Sequence, residues 1–269
     1  MEAMSRLLVC APDYFSIEYE INPWMRLSNQ VDPMRARPQW AELMTVLARD
    51  AGAVLEHLQP VPNLPDLVFT ANAGVVAGRR AVPSRFRHPE RQREEPHVTA
   101  WFRQRGYEVT ALEPEVYFEG AGDLLGFSDV WFGGYRQRSD IRAFPRLSEV
   151  FSREIIPLEL IDRRFYHLDT CFCPLSGGEL LYYPPAFDSY ARTVIADRIE
   201  AGRRLVVAQE EALRFACNAV CIGKHVVLPT GCPAIGKSLE ERGYHVHAVM
   251  LEEFMKAGGS AKCLTLALD

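Results

Sequence analysis

The chain lacks any apolar stretch approaching the ~20 residues needed to span a bilayer, so it does not read as a helical membrane protein. It also lacks an excess of positive charge. Against 30 lysines and arginines stand 35 aspartates and glutamates, and the net charge of −5 argues against nucleic acid or an anionic membrane as partner. The opening MEAMSRLLVCAPDY carries too short an apolar run for a secretory leader, with no small-residue cleavage site behind it. Its seven cysteines are an odd number scattered through apolar strand patterns, which suits reduced thiols and not a disulfide framework. No linker, charge block or low-complexity stretch divides the sequence. The expectation is a cytoplasmic α/β protein with residues 1–269 in one domain, compatible with assembly as a homo-oligomer.

What the chain does have is a repeat. Four stretches, 72–85, 123–135, 171–184 and 218–229, set a tight Gly- or Asp-containing turn between two apolar runs, the pattern of a β-hairpin. Helix-compatible segments follow at 90–106, 139–153, 188–201 and 238–243. A further one, 38–51, precedes the first hairpin, with Pro38 at its start and Trp40, Leu43, Met44 and Leu47 on one face. Each leads into a strand, at 53–58, 107–112, 155–160, 205–208 and 244–250. Five helix–strand pairs call for five hairpins, and the fifth can be assembled from the two ends, 263–268 with 6–11. The expected fold is an α/β ring of five units, closed by pairing of the N- and C-terminal strands. An open doubly wound sheet is the alternative, disfavoured because parallel neighbours need long crossovers where this chain has tight hairpins. In a closed ring, residues at the starts of the units, Asn72, Asp123, Asp169, Asn218 and Cys263, converge on one centre.

Those residue types suit a particular chemistry. Cys263 lies in GGSAKC, at the point where other units carry Asn or Asp. A catalytic thiol needs access, activation and a nearby base, whereas most lone cysteines are small buried hydrophobes; the repeat position favours the former. His167 and Asp169 stand two apart in RRFYHLDTCF, so an extended strand aims both at one pocket. Imidazole beside carboxylate is what acid/base work at neutral pH requires, although a surface His–Asp pair reads the same way. Glu119 and Asp123 occupy the Gly-rich FEGAGD, and Asp66 and Asn72 frame DLVFTAN. Carboxylates placed around a thiolate repel it unless a cation sits between them. Guanidinium fits, because carboxylates grip it bidentately. Arg91 and Arg138 could then hold an opposing carboxylate of the substrate, with exposed arginines as the plain alternative.

Three other patterns compete. Residues 231–238, GCPAIGKS, match the phosphate-loop pattern G-x-x-x-x-G-K-S behind a strand, which makes a nucleotide-binding protein the rival class. Against it, few residues follow Ser238 and Pro233 removes one N–H from the supposed cradle. Cys171 and Cys173, like Cys217 and Cys221, lack zinc-site spacing, and His245 and His247 share a strand face with no third ligand in view. A ring-shaped binding protein without catalysis is a third possibility.

Taken together, DLVFTANA, FEGAGDLL, YRQRSD, HLDTCF and GGSAKCLT, in this order along nearly the whole chain, resemble the guanidino-group-modifying, or pentein, superfamily. It includes arginine deiminase, dimethylarginine dimethylaminohydrolase and the amidinotransferases. The resemblance implies a five-bladed, pseudo-fivefold α/β propeller that needs no metal or organic cofactor. It implies Cys263 as nucleophile, His167 as acid/base, Asp169 as the acidic residue beside it, Glu119 and Asp66 as guanidinium-binding carboxylates, and Arg91 and Arg138 as contacts to the substrate carboxylate. Where deiminases and dimethylargininases usually carry a second aspartate, this chain has Asn72. With Asn22 in INPWM, that looks most like the arginine dihydrolase branch, which takes arginine to ornithine, ammonia and carbon dioxide. An amide can donate to a ureido oxygen where a carboxylate cannot. Formation of citrulline alone, as by a deiminase or dimethylargininase, and a citrulline ureidase are the alternatives within the family.

Overall fold

A computed structural model describes residues 4–269 of the protein. Strand β1 (Arg6–Cys10) runs parallel to β2 (Val54–Leu58), in register from Arg6 opposite Val54 to Cys10 opposite Leu58. Each of the next four sheets repeats one plan, an antiparallel hairpin whose second strand pairs in parallel with a strand returning from a helix. These are β3 (Gly74–Ala77), β4 (Arg80–Pro83) and β5 (Glu108–Val109); then β6 (Leu124–Phe127), β7 (Val130–Tyr135) and β8 (Glu154–Glu159). They continue as β9 (Phe172–Pro174), β10 (Leu180–Tyr182) and β11 (Arg204–Val206), then β12 (Val220–Ile222), β13 (His225–Pro229) and β14 (His245–Val249). The last strand, β15 (Leu266–Ala267), returns to the first sheet and lies antiparallel to β1, Leu8 opposite Leu266. The described residues therefore hold five three-stranded sheets, and the two ends of the chain share one of them.

Turn chemistry explains the hairpins. Gly78 (φ 59°) turns the first and Gly223 (φ 53°) the fourth, while Ser128 takes the left-handed conformation in the second. The helical segments bury apolar side chains against the sheets, Leu43 and Leu47 in one cluster with Leu7 and Val9 of β1. Phe132, Phe172 and Phe187 form a ring-to-ring chain, with centroids 5.0 and 6.3 Å apart, joining the second and third of these hairpin sheets. Burying one such phenyl contributes about 2 kcal/mol.

Several boundaries differ from the sequence reading. Helix α1 (Pro33–Thr45) starts earlier than Pro38, because the Asp32 side chain caps the Met34 N–H at 2.9 Å and Pro33 takes the first turn; it passes into a π turn at Val46–Asp50. The 90–106 segment is broken into α2 (Pro89–Gln92) and α3 (Glu95–Gln104), since Glu94 turns inward to Arg91. Helix α4 (Ala143–Phe151) begins late because Ser139 is buried against Asp123. Helix α5 (Ser189–Arg198) is capped by Asp188.

The largest correction concerns 231–238. Short α6 (Gln209–Ala212) is followed by α7 (Pro233–Glu240), so GCPAIGKS is mostly helix and not a phosphate loop. The Glu211 carboxylate already accepts the Ala234 and Ile235 N–H groups at 2.7 and 2.9 Å, and it would repel a phosphate there. Lys237 points outward, 3.8 Å from Glu241. Among the described residues no helix is long and apolar enough to cross a membrane, and no group of three or more His, Cys, Asp or Glu side chains could hold a metal ion.

Candidate active site

A tight turn precedes the first strand of each sheet, and these turns carry the polar residues. The 3-10 turn Thr70–Ala73 holds Asn72 ahead of β3, Gly120–Gly122 lies between Glu119 and Asp123 ahead of β6, and Leu168–Thr170 holds Asp169 ahead of β9. Turns at 213–218 and 261–264 carry Asn218 ahead of β12 and Cys263 ahead of β15. Cys263 thus sits on a turn and not in the expected terminal strand. All of these side chains are buried.

The thiol is held from two sides. Cys263 Sγ lies 3.4 Å from Asp169 Oδ2 and accepts from Asn218 Nδ2 at 3.1 Å. Asn218 Oδ1 in turn accepts the Ser260 and Cys263 N–H groups, at 3.0 and 3.2 Å, so one amide orients the whole GGSAKC turn. Sequence reasoning left Asn218 without a task; its repeat position was the available signal. Burial pushes the Cys263 thiol well above its ordinary range, and Asp169 beside it adds to the rise. Burial likewise raises Asp169 to about 7, against the opposing Lys262 charge and its hydrogen bonds to Cys263 and Asn218.

His167 and Asp169 do not form the expected pair. Asp169 lies in the 3-10 turn, so the period-two geometry of a strand does not apply, and His167 Nε2 pairs with Glu119 Oε2 at 2.7 Å. With Nε2 committed to Glu119, Nδ1 is the nitrogen left for chemistry, and it is buried without a partner among the described residues. Gly122 makes room there. A Cβ on it would collide with Asn72 Nδ2 and come within 3.5 Å of His167 Nδ1. Glu119 also accepts from Arg138 Nη1 at 2.9 Å and from the Arg87 N–H at 3.2 Å. Burial alone would raise Glu119, but Arg138, His167 and Arg91 outweigh it and hold the carboxylate far below its usual range.

The two arginines differ. Arg91 donates bidentately to Glu94 at 2.8 Å from both Nε and Nη2, and also to Asn72 Oδ1 at 3.0 Å and Asp66 O at 3.1 Å. Its guanidinium thus pairs with Glu94 and orients Asn72 from the wall of the same cavity as Cys263. Arg138 donates to Glu119 and to Ile21 O at 3.0 Å, stacks over the Tyr166 ring, and keeps further N–H groups toward the cavity. Asn72 Nδ2 donates to Glu119 O at 3.1 Å. Asp66 accepts from Tyr19 at 3.0 Å through Oδ2, and burial raises its carboxyl against the pull of Arg91. Asn22 accepts the Trp24 and Met25 N–H groups and donates to Ala257 O at 3.0 Å, fixing its segment over the site.

Cys263, Asp66, Asn72, Asn22, Arg138 and Tyr166 line one cavity of about 10 Å³, roughly one water in size. It adjoins a wider outer cavity of about 550 Å³ that shares Asn22, Arg138 and Tyr166 and adds Arg87 and Arg163. Besides His167 Nδ1, Asp66 Oδ1 and Asp169 Oδ1 are buried without partners among the described residues. Asp66, Glu94, Glu119, Asp123 and Asp169 are buried here against Arg91 and Arg138. Such an excess of carboxylate is relieved by protonation, as the raised Asp66, Glu94, Asp123 and Asp169 show, or by a cation that enters.

No family model matches the chain. Individual proteins do. It is 45% identical over 265 residues to the bifunctional arginine dihydrolase/ornithine cyclodeaminase ArgZ of Synechocystis, a match covering 97% of this chain and 37% of that protein. The dimethylarginine dimethylaminohydrolase of Mycobacterium tuberculosis is 37% identical over 264 residues, covering 98% of this chain and 85% of the relative. The N-terminal domain of ArgZ, as a cysteine-to-serine variant bound to substrate, matches with a TM-score of 0.95 at 43% identity and 98% coverage of both chains.

Proposed function

The chain belongs to the guanidino-group-modifying (pentein) superfamily of arginine dihydrolases, dimethylargininases and arginine deiminases, and we propose that it is an arginine dihydrolase, converting arginine to ornithine, two ammonia and carbon dioxide. On this reading the five sheets are blades of one catalytic ring, closed where β15 pairs with β1. The observation that carries the proposal is the surplus of buried carboxylate around a thiol, with one oxygen each of Asp66 and Asp169 left unpartnered. A guanidinium supplies the missing charge and the missing donors.

Binding of that cation also resolves the state of Cys263. Its thiol resists ionisation in a buried, anionic setting. A guanidinium beside it favours the thiolate, and Asp169 at 3.4 Å takes the proton. The thiolate attacks the guanidinium carbon, with Asp66 holding the nitrogens. His167, charged and paired with Glu119, gives a proton from Nδ1 to the departing ammonia, which leaves a covalent thiouronium. Neutral His167 then takes a proton from water, and hydroxide addition with loss of the thiolate gives citrulline. In a second round the thiolate attacks the ureido carbon, ammonia leaves, and water releases a carbamate that loses carbon dioxide. On this reading Arg138, which lines both cavities, contacts the substrate carboxylate. Asn72, oriented by Arg91, offers an N–H to the ureido oxygen, which supports a second round.

Product analysis tests this. The purified protein is incubated with arginine, and ornithine, citrulline and ammonia are quantified. Ornithine with two equivalents of ammonia is the expected result, and citrulline with one equivalent overturns the dihydrolase reading. Cys263→Ser, with an unchanged melting curve, should show no turnover.

A further inference from the structure

Lys262 and Cys263 are neighbours in sequence, yet they line different cavities. Cys263 faces the site described above. Lys262 faces a separate cavity of about 310 Å³ that shares no lining residue with it. The walls of this second cavity come from strands of several sheets and are mainly apolar: Leu7 of β1, Leu125 of β6, Phe172 of β9, and Val220 and Ile222 of β12. Its volume falls in the range of small-molecule sites, as does its pairing of apolar walls with few polar groups. One cation reaches in. Lys262 is half-buried, and its ammonium makes one long bond, 3.4 Å, to Thr265 O. Two of its three donors remain for a ligand.

We infer that this cavity is a second binding site for a small monocarboxylate with an apolar body, held by Lys262 and seated behind the turn that carries Cys263. A monoanion is favoured over a dianion or a cation because the cavity presents one ammonium, and the Asp269 carboxylate at its rim opposes further negative charge. A cavity of about 310 Å³ has room for a short apolar body such as that of hexanoate. The cavity also communicates with the front of the molecule. The Lys262 charge favours the ionised form of Asp169, the group 3.4 Å from Cys263 Sγ. A carboxylate paired with Lys262 withdraws that support, so Asp169 is more often already protonated and fewer molecules hold the carboxylate that takes the thiol proton. The binding claim stands apart from the proposed hydrolase activity, whereas the coupling rests on it.

Hexanoate is the probe, titrated calorimetrically into the whole protein. Saturable binding with a Kd of ~1 mM or tighter is expected. Lys262→Gln should weaken it about tenfold or more, the worth of one charge-assisted hydrogen bond. Ala267→Trp, at an exposed rim position, should block it while leaving Lys262 intact. Undiminished binding in both variants, equal binding of hexylamine, or displacement of hexanoate by arginine in Cys263→Ser overturns the site. In the active protein, saturating hexanoate should lower kcat/KM for arginine without competing with it, and an unchanged kcat/KM overturns the coupling.

Discussion

The chemistry at this site is decided by which buried group has a partner. Asn72 shows the point: Arg91 donates to its Oδ1, and its Nδ2 donates to the Glu119 carbonyl. In Asn72→Asp the oxygen replacing Nδ2 faces that carbonyl oxygen and has no proton to offer a ureido group. Its product should shift from ornithine toward citrulline, and chromatography showing unchanged ornithine output would refute the role given to Asn72. Asn218 acts through another residue, since it orients the Cys263 turn without facing the cavity. Asn218→Ala leaves the Ser260 and Cys263 N–H groups unpaired and frees the thiol, so kcat should fall about a hundredfold with little change in KM. A structural role alone would instead lower the melting temperature with kcat of the folded fraction intact. Asp169 carries a pH signature. Its carboxyl is raised from 3.8 to about 7 in the folded protein, so the folded state binds the extra proton between those values. That stability contribution is complete below about 4 and is lost as pH rises toward 7. Relative to the wild type, Asp169→Asn should therefore gain melting temperature on going from pH 4.5 to pH 8, and parallel curves would contradict the assignment.

Among the secondary-structure elements, turn-forming residues were more legible than helix ends. The hairpins fell where the sequence put them, because Gly and Asp between apolar runs act locally. Asp32 and Asp188 start α1 and α5 locally, whereas other helix starts depended on side chains from elsewhere. Glu211, on α6, caps α7 by accepting from Ala234 and Ile235, and nothing near 231–238 in sequence announces it. Glu211→Ala should cost about 1 to 2 kcal/mol, seen as a fall of a few degrees in melting temperature. Lys237→Ala, exposed on the same helix, should leave both stability and arginine turnover unchanged. Binding of ATP with magnesium that disappears in this variant would revive the nucleotide-binding alternative.

Across the whole molecule, the two ends are drawn into a single sheet. Leu268 donates to Arg6 O at 2.9 Å, and the Arg6 N–H reaches Asp269 Oδ2 at 2.8 Å. If the five sheets form the closed ring proposed here, the position of the chain ends is arbitrary to the fold. A circular permutant that joins the ends by a short Gly-rich linker and opens at the exposed Gly78–Arg79 turn should fold, with arginine turnover within about tenfold of the parent. A permutant that folds poorly beside a stable parent would argue for an open arrangement.

By itself the sequence determined the repeat, the hairpins and the kinds of groups brought together, because periodicity and turn chemistry are local properties. It also placed Asn72, Asp169 and Cys263 at equivalent points of their units. Only the tertiary structure decided the pairings: His167 with Glu119 and not Asp169, Arg91 with Glu94 and Asn72, Asn218 with Cys263. The His167–Glu119 and Asn218–Cys263 pairings join residues from different units, so their distances are set by how the sheets pack. Charge states follow the same division. Asp66, Glu119 and Asp169 are all carboxylic acids, yet burial raises Asp66 and Asp169 while Arg138 and His167 hold Glu119 down. Desolvation and neighbouring charge exist only once the chain has folded around them.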